Sequence, residues 1–358
     1  MSCPPTSFIG WVGHDKSSAK GNLRWESFVP KTWTEEDVDI AIECCGVCGS
    51  DIHTLRSGWA PADYPVIVGH EIVGRAVRVG RKAAGGIKVG DRVGVGAQSS
   101  ACLTAECEDC SNGDEHHCEN EGNCNTYDMR YPDGSKATGG YAEHTRVPSH
   151  FAFKIPEAIS SIEAAPMLCA GITVYAPLVE NNAGPGIRVG IVGVGGLGHF
   201  GLLWAKALGC TSITAISRTT AKKDDCLKMG ATAFIATDEE EDWSTKYAKT
   251  VDLIVCTVSS HKMPLNDYLK LLRLRGTFIM VGVPEDSLPA IDLGTLTDRR
   301  AKIGGSTVGS RQQIREMLDL AVEKGVHPWI NMYPMKDANK ALIEFEEGKP
   351  RYRFVLKN

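Results

Sequence analysis

Gly193-Val194-Gly195-Gly196-Leu197-Gly198 is the stretch on which the reading of this chain turns. It follows the apolar run Val189-Gly190-Ile191-Val192. It precedes a segment in which Leu197, Phe200, Trp204 and Leu208 recur at helical spacing and which Gly209 closes. A buried strand, a glycine turn and a helix in that order are a dinucleotide-binding fingerprint; without that frame the same residues would be an ordinary glycine-rich turn. The first glycine permits the tight turn, the second lets backbone approach a pyrophosphate, and the third lets helix and strand pack closely. The phosphates then meet the helix N-terminus.

Working outward, the alternation continues downstream. Strands are predicted at Ser212 to Ile216, Phe234, Asp252 to Val255 and Thr277 to Val281, with helices at Thr220 to Met229 and Pro264 to Leu274. This order predicts an α/β unit with a parallel, doubly wound sheet. The acidic Asp238 to Asp242 reads as a solvated loop. Upstream, Ser161 to Val179 reads helical, Asp39-Ile40-Ala41-Ile42-Glu43-Cys44 alternates as a strand with one buried face, and the chain from Trp11 reads as antiparallel β. Past Ile303-Gly304-Gly305-Ser306 come helices at Gln312 to Lys324 and Asp337 to Glu347, each stopped by glycine, then a strand from Tyr352 to Leu356.

A chain of 358 residues has room for two domains, and 42% hydrophobic with 23% charged residues describes an ordinary globule. The net charge of -5 lacks the basic surplus of nucleic-acid binders, so no partner of that class is expected. No basic segment followed by an apolar one opens the sequence, and no apolar run reads as long enough to span a bilayer. The expected location is cytoplasmic, with no membrane partner. In that setting thirteen cysteines point to thiols and metal in place of disulfides.

Two regions concentrate metal-binding residue types. Cys102, Cys107, Cys110 and Cys118, spaced C-x4-C-x2-C-x7-C in a segment too polar to form a core, fit a closed tetrahedral zinc lobe spanning about 102–118. Cys124 is close enough to be a rival fourth ligand. The second region holds Cys48-Gly49-Ser50-Asp51-Ile52-His53 and, in the apolar run Val66 to Gly74, His70 and Glu71. Ionisable groups inside such a run need partners or a metal to offset desolvation.

Taken together, Gly69-His70-Glu71, the Cys48 to His53 run, the cysteine lobe, Cys169 and the glycine turn resemble the zinc-dependent medium-chain alcohol dehydrogenases. The closer likeness is to their NADP-dependent cinnamyl alcohol dehydrogenase branch, over essentially the whole chain. The one departure is the lobe's opening, which in that family is usually C-x2-C. The resemblance implies a GroES-like β-rich catalytic domain, 1–164 and 303–358, interrupted by a Rossmann cofactor domain, 165–302, with substrate in a cleft between them. It implies a catalytic zinc on Cys48, His70 and Cys169, with Glu71 either ligating it or orienting its neighbours, and a structural zinc in the lobe, two zinc ions in all. Ser50 and His53 become a proton relay to the substrate oxygen. Thr173, Val258, Val281, Val283 and Ser306 line the cofactor cleft beside Gly193, Gly195, Gly196, Leu197 and Gly198, and Arg353 contacts the cofactor pyrophosphate. Trp59 and Met129 are candidates for the substrate pocket, and a homodimer is the family expectation.

The cofactor is read from the second strand's end. An NAD site carries an acid there to bind the ribose hydroxyls, whereas Ile216-Ser217-Arg218-Thr219-Thr220-Ala221-Lys222 has none. Ser217, Arg218 and Lys222 suit the 2′-phosphate of NADP(H). The expected function is NADPH-dependent interconversion of aldehydes and primary alcohols, aromatic or allylic ones foremost. The rivals are a dehydrogenase of a particular polyol or pathway intermediate, and a zinc- and nucleotide-binding protein without turnover.

Overall fold

The computed structural model describes residues 4–358. They form two compact units. The first holds the described residues through Cys169 together with Gly309–Glu323 and Trp329–Asn358, and the second holds Ala170–Val308 and Lys324–Pro328. Against the boundaries expected from sequence, the start of the long helix through Cys169 stays with the first unit, and residues 303–308 go to the second. The latter shift has a plain cause: Lys302–Gly305 is hydrogen-bonded into the second unit's sheet.

That sheet has six parallel strands in the spatial order Ala233–Ala236, Ser212–Ser217, Arg188–Val192, Val251–Cys256, Leu272–Met280, Lys302–Gly305. The order reverses between Arg188–Val192 and Val251–Cys256, and in open parallel sheets a ligand binds at the carboxyl ends of the strands at such a reversal. The glycine turn leaves the first of these two strands and Thr257 leaves the second. One predicted helix is shorter than expected: it covers Leu265–Lys270, and the chain is already strand at Leu272. Arg275 in the left-handed region and a register shift between Val251 and Leu253 mark the irregular start of that strand.

The first unit is built on a seven-stranded sheet. Along its main path run Ile330–Pro334, Arg353–Lys357, Asp37–Val47, Ile72–Val79, Arg92–Val95 and Phe153–Lys154, and His144–Pro148 pairs with Asp37–Val47 off that path. All pairs are antiparallel except the first. The central strand Asp37–Val47 is buried on both faces, where alternation had predicted one. Its polar face is accommodated by ion pairing: Arg146 grips both oxygens of Asp39, Nε to Oδ1 at 2.6 Å and Nη2 to Oδ2 at 3.1 Å. Val38, Ile40 and Ile42 fill the core with Val93, Val95 and Val147.

The helix from Ser161 to Glu180 is continuous but irregular. Its α-helical ends flank a π turn at Met167–Gly171, just past Pro166, whose missing N–H removes one rung of the ladder. This 20-residue helix is long and apolar enough, by composition, to cross a membrane, which corrects the expectation from sequence; 83% of its most apolar window is buried inside the protein. Its hydropathy reflects core packing.

Candidate active site

Four elements of the first unit deliver the polar cluster at its heart. The strand Asp37–Val47 ends just before Cys48, which opens the short helix Gly49–Leu55. Gly69, with φ of 98°, turns the chain so that His70 and Glu71 precede Ile72–Val79. A Cβ at Gly69 would lie 2.5 Å from the Tyr141 ring and 2.8 Å from Cys45 Sγ, so only glycine fits this turn. The π turn supplies Cys169, a place where such irregularity often marks function.

Cys48, His70, Glu71 and Cys169 are all buried, and one ligand atom from each lies within 4.8 Å of the others. Cys48 Sγ and Cys169 Sγ are 4.0 Å apart and His70 Nε2 is 3.0 Å from Cys169 Sγ. Two sulfurs on a tetrahedral zinc, each about 2.3 Å from it, are separated by roughly 3.8 Å. The donor set therefore fits zinc, and Glu71 Oε2 supports the fit: it is buried without a hydrogen-bond partner, a cost that a cation offsets. The hydrogen bond with Cys169 holds the Cys48 thiol well below the usual range and pushes Cys169 well above it. Burial lifts Glu71 to about 7 against the opposing charge of Arg353.

Around this set Asp51 acts as a hub. Its fully buried carboxylate accepts Cys48 N–H at 2.9 Å, Gly69 N–H at 3.1 Å and the Tyr141 hydroxyl at 2.9 Å, tying both ligand-bearing turns together. Ser50 Oγ is 3.6 Å from Cys48 Sγ. His53, three residues on and so on the same helix face, stacks on Trp59 with centroids 4.4 Å apart and has Nδ1 3.1 Å from Arg56 Nη2. Met129, the other pocket candidate, packs with Cys124 and Tyr131.

The cysteine lobe comes together as a second cluster. Cys102, Cys107, Cys110 and Cys118 place their sulfurs within 4.8 Å of one another, with spacings of 3.5, 3.6 and 4.0 Å for the pairs 118–102, 102–110 and 107–118. Those distances bracket the tetrahedral value above. The longer opening loop is accommodated outward, with Thr104, Ala105 and Glu106 exposed. Cys124 lies apart from this cluster, packed against Tyr131 and Ala137. Glu115 anchors the lobe by accepting the backbone N–H and Nε–H of Arg311 at 2.6 and 3.0 Å.

In the second unit the glycine turn shows the three expected backbone roles. Gly193 has φ of 85°, Gly195 has open space where a Cβ would be, and a Cβ on Gly198 would fall 2.0 Å from Gly193 O. Thr257 Oγ1 donates to Gly193 O at 2.6 Å, fastening the turn to the neighbouring strand end. Val258 packs against the same glycine, Val281 is buried and Val283 exposed, and Ser306 N bonds Met280 O at 3.0 Å. Thr173 is buried in the second half of the long helix. Ser217 and Arg218 stand at the end of the second strand, and Lys222 reaches back to donate to Val194 O at 2.7 Å.

For Arg353 the structure adds a partner that the sequence-based reading did not include. Arg353 is buried in the first unit, bonded to Glu71, and so belongs with the metal-type donor set. Tyr127, Tyr141 and Gly46 were missed by sequence reading, since isolated tyrosines and glycines carry no spacing signal. Only the fold brings them to the cluster.

A nucleotide-type glycine turn on a doubly wound sheet, in one chain with a buried, open-ended thiolate and imidazole set, defines a zinc-binding dehydrogenase. Comparison with known proteins agrees. Residues 34–157 match the alcohol dehydrogenase GroES-like domain and 196–323 the zinc-binding dehydrogenase domain. NADP-dependent alcohol dehydrogenase 6 of Saccharomyces cerevisiae is 43% identical over 338 residues, covering 94% of this chain and 92% of its own. A cinnamyl alcohol dehydrogenase from Sorghum bicolor superposes with a TM-score of 0.90 at 34% identity, over 98% of this chain and 97% of its own. CAD from Helicobacter pylori, complexed with NADP(H), gives 0.88 at 30% identity over 98% of each chain. The chain belongs to the zinc-dependent medium-chain alcohol dehydrogenases, in their cinnamyl alcohol dehydrogenase branch. It is an oxidoreductase of the alcohol dehydrogenase and aldehyde reductase type.

Proposed function

We propose that the chain reduces aldehydes to primary alcohols with NADPH, reversibly and with a preference for aromatic or allylic substrates, and that it carries two zinc ions. The observation that carries this reading is the complete donor set of Cys48, His70 and Cys169. When bound, zinc supplies a Lewis acid for the carbonyl oxygen and NADPH supplies the hydride. Cys48, His70 and Cys169 hold the metal, with Glu71 beside them, and Cys102, Cys107, Cys110 and Cys118 hold the second ion as a structural closure. Ser50 Oγ delivers a proton to the substrate oxygen, and His53, half-exposed on the same helix face, replaces it from solvent. The open space at Gly195 admits the pyrophosphate to the helix N-terminus. Ser217 and Arg218 take the 2′-phosphate, in keeping with the NADP dependence named for the yeast relative.

The aromatic preference is supported by the likeness to the sorghum cinnamyl alcohol dehydrogenase. Assembly as a homodimer is supported by the edge strand Lys302–Gly305, with the exposed Val283, Leu288, Ile291 and Leu293 in the same unit. A cytoplasmic location is supported by chemistry, since all twelve described cysteines are free thiols and thiol-rich sites persist in a reducing compartment. The test is NADPH consumption by the zinc-loaded protein against a panel of aromatic, allylic and aliphatic aldehydes, with polyols in the reverse direction. Turnover should be fastest with the aromatic and allylic aldehydes. No turnover with any aldehyde, or faster oxidation of a polyol, overturns the proposal.

A further inference from the structure

A histidine that binds metal through Nε2 must keep its proton on Nδ1, and the group that receives this N–H fixes the ring's tautomer and orientation. His70 Nε2 faces Cys169 Sγ, so the question is what meets Nδ1. The nearest carboxylate, Asp51, has Oδ1 3.7 Å from Nδ1, beyond hydrogen-bond reach. Asp51 is also occupied by Cys48 N–H, Gly69 N–H and the Tyr141 hydroxyl. The group in contact is Tyr127, whose hydroxyl oxygen is 2.9 Å from His70 Nδ1. Its ring lies over the imidazole, centroids 5.3 Å apart and 26° from parallel.

The side chain is buried, and the backbone beside it is fixed: Thr126 N–H donates to Ala97 O at 3.0 Å and Thr126 Oγ1 to Gly96 O at 2.5 Å. A phenol oxygen can accept from an imidazole N–H, which keeps the proton on Nδ1 and leaves Nε2 unprotonated. We propose that Tyr127 is a positioning residue for the metal: its hydroxyl accepts the His70 Nδ1–H and its ring lies over the imidazole, which fixes the tautomer and orientation that leave Nε2 to the metal. This rests on the proposed metal at Cys48, His70 and Cys169. It adds that the second hydrogen bond of the histidine ligand comes from a tyrosine 57 residues away.

The test follows zinc leaving the full-length, zinc-loaded protein into a chromophoric chelator, for wild type and Tyr127→Phe, which keeps the ring. Cys48→Ser identifies the phase that belongs to this site. In Tyr127→Phe that phase should accelerate on the order of ten- to a hundredfold, while the lobe's phase keeps its rate. Cobalt-substituted wild type should also show a paramagnetically shifted, slowly exchanging imidazole N–H, a readout that needs no variant. Unchanged release from Tyr127→Phe overturns the tyrosine's role, as does faster release from both sites together with a lower melting temperature, or the absence of the protected N–H in wild type. If wild type lacks the phase that Cys48→Ser should remove, the metal reading itself fails.

Discussion

Arg353 and Glu71 form an ion pair in which the side chains are 1% and 0% exposed, with Arg353 Nη2 bonded to Glu71 Oε1. The other carboxylate oxygen is buried with no hydrogen-bond partner among the described residues. The pair therefore presents one oxygen toward the metal site while the guanidinium, itself fully enclosed, carries the balancing charge. Gly46 makes the space: a Cβ there would fall 1.8 Å from Glu71 Oε2.

Removing one member of a buried pair leaves an uncompensated charge, at a cost of roughly 3–5 kcal/mol. Arg353→Met should accordingly lower the thermal unfolding midpoint by many degrees, and Gly46→Ala should also lower it by displacing the carboxylate. A midpoint equal to wild type in Arg353→Met would show that the pair contributes nothing to the fold.

The two cysteine sets should separate by phenotype. Cys48→Ala and Cys169→Ala should each lose one equivalent of zinc and all turnover yet stay folded, because the surrounding core of Val38, Ile40, Ile72 and Val93 is untouched. Cys107→Ala and Cys110→Ala should lose the other equivalent and chiefly lower stability, since the lobe's own core is small. Elemental analysis with thermal melts decides this. Full activity with at most one zinc per wild-type chain would refute it.

The relay residues should differ in severity. Ser50 sits 3.6 Å from Cys48 Sγ, so Ser50→Ala should cut kcat severely while zinc content stays at the wild-type level. His53 is half-exposed, and water can substitute for it, so His53→Ala should lose less. Steady-state kinetics beside metal analysis checks both; wild-type kcat in Ser50→Ala would remove the serine from the mechanism.

The nucleotide half was legible because its signal is local: strand, glycines and helix are adjacent in sequence, and each glycine's role showed in the backbone as expected. The ligand types were legible for a similar reason, since Cys48, His70 and the lobe cysteines stand out from their neighbours. What stayed hidden is held by long-range contacts. The contact of Arg353 with Glu71, 282 residues away, exists only because the terminal strand pairs with Asp37–Val47. Tyr141 reaches Asp51 and Tyr127 reaches His70 only once the chain has folded, and no periodicity records that. The long helix was read as a helix, but the π turn at Cys169 within it carries no compositional signal.

On the proposed function, cofactor preference follows from the residues where Ser212–Ser217 ends. A carboxylate at that corner would accept hydrogen bonds from the ribose hydroxyls and repel a 2′-phosphate. Ser217 and Arg218 stand there instead, the former half-buried and the latter exposed with its side chain open to an incoming anion. Two acids of the loop after Ala233–Ala236 are engaged locally: Glu239 accepts Thr220 N–H at 3.1 Å, and Glu240 binds Lys246 and Tyr247, each at 2.9 Å. Lys222, half-buried, donates to Val194 O, so its positive charge is held at the glycine turn. A charge-assisted contact contributes about 1.5–3 kcal/mol, and losing two should reduce NADPH preference on the order of a hundredfold or more. Ser217→Asp with Arg218→Ile both removes those contacts and adds the repelling acid, so the double variant should favour NADH. Measuring kcat/KM for both cofactors in wild type and variant decides it, and similar wild-type values for NADPH and NADH would show that this corner does not discriminate.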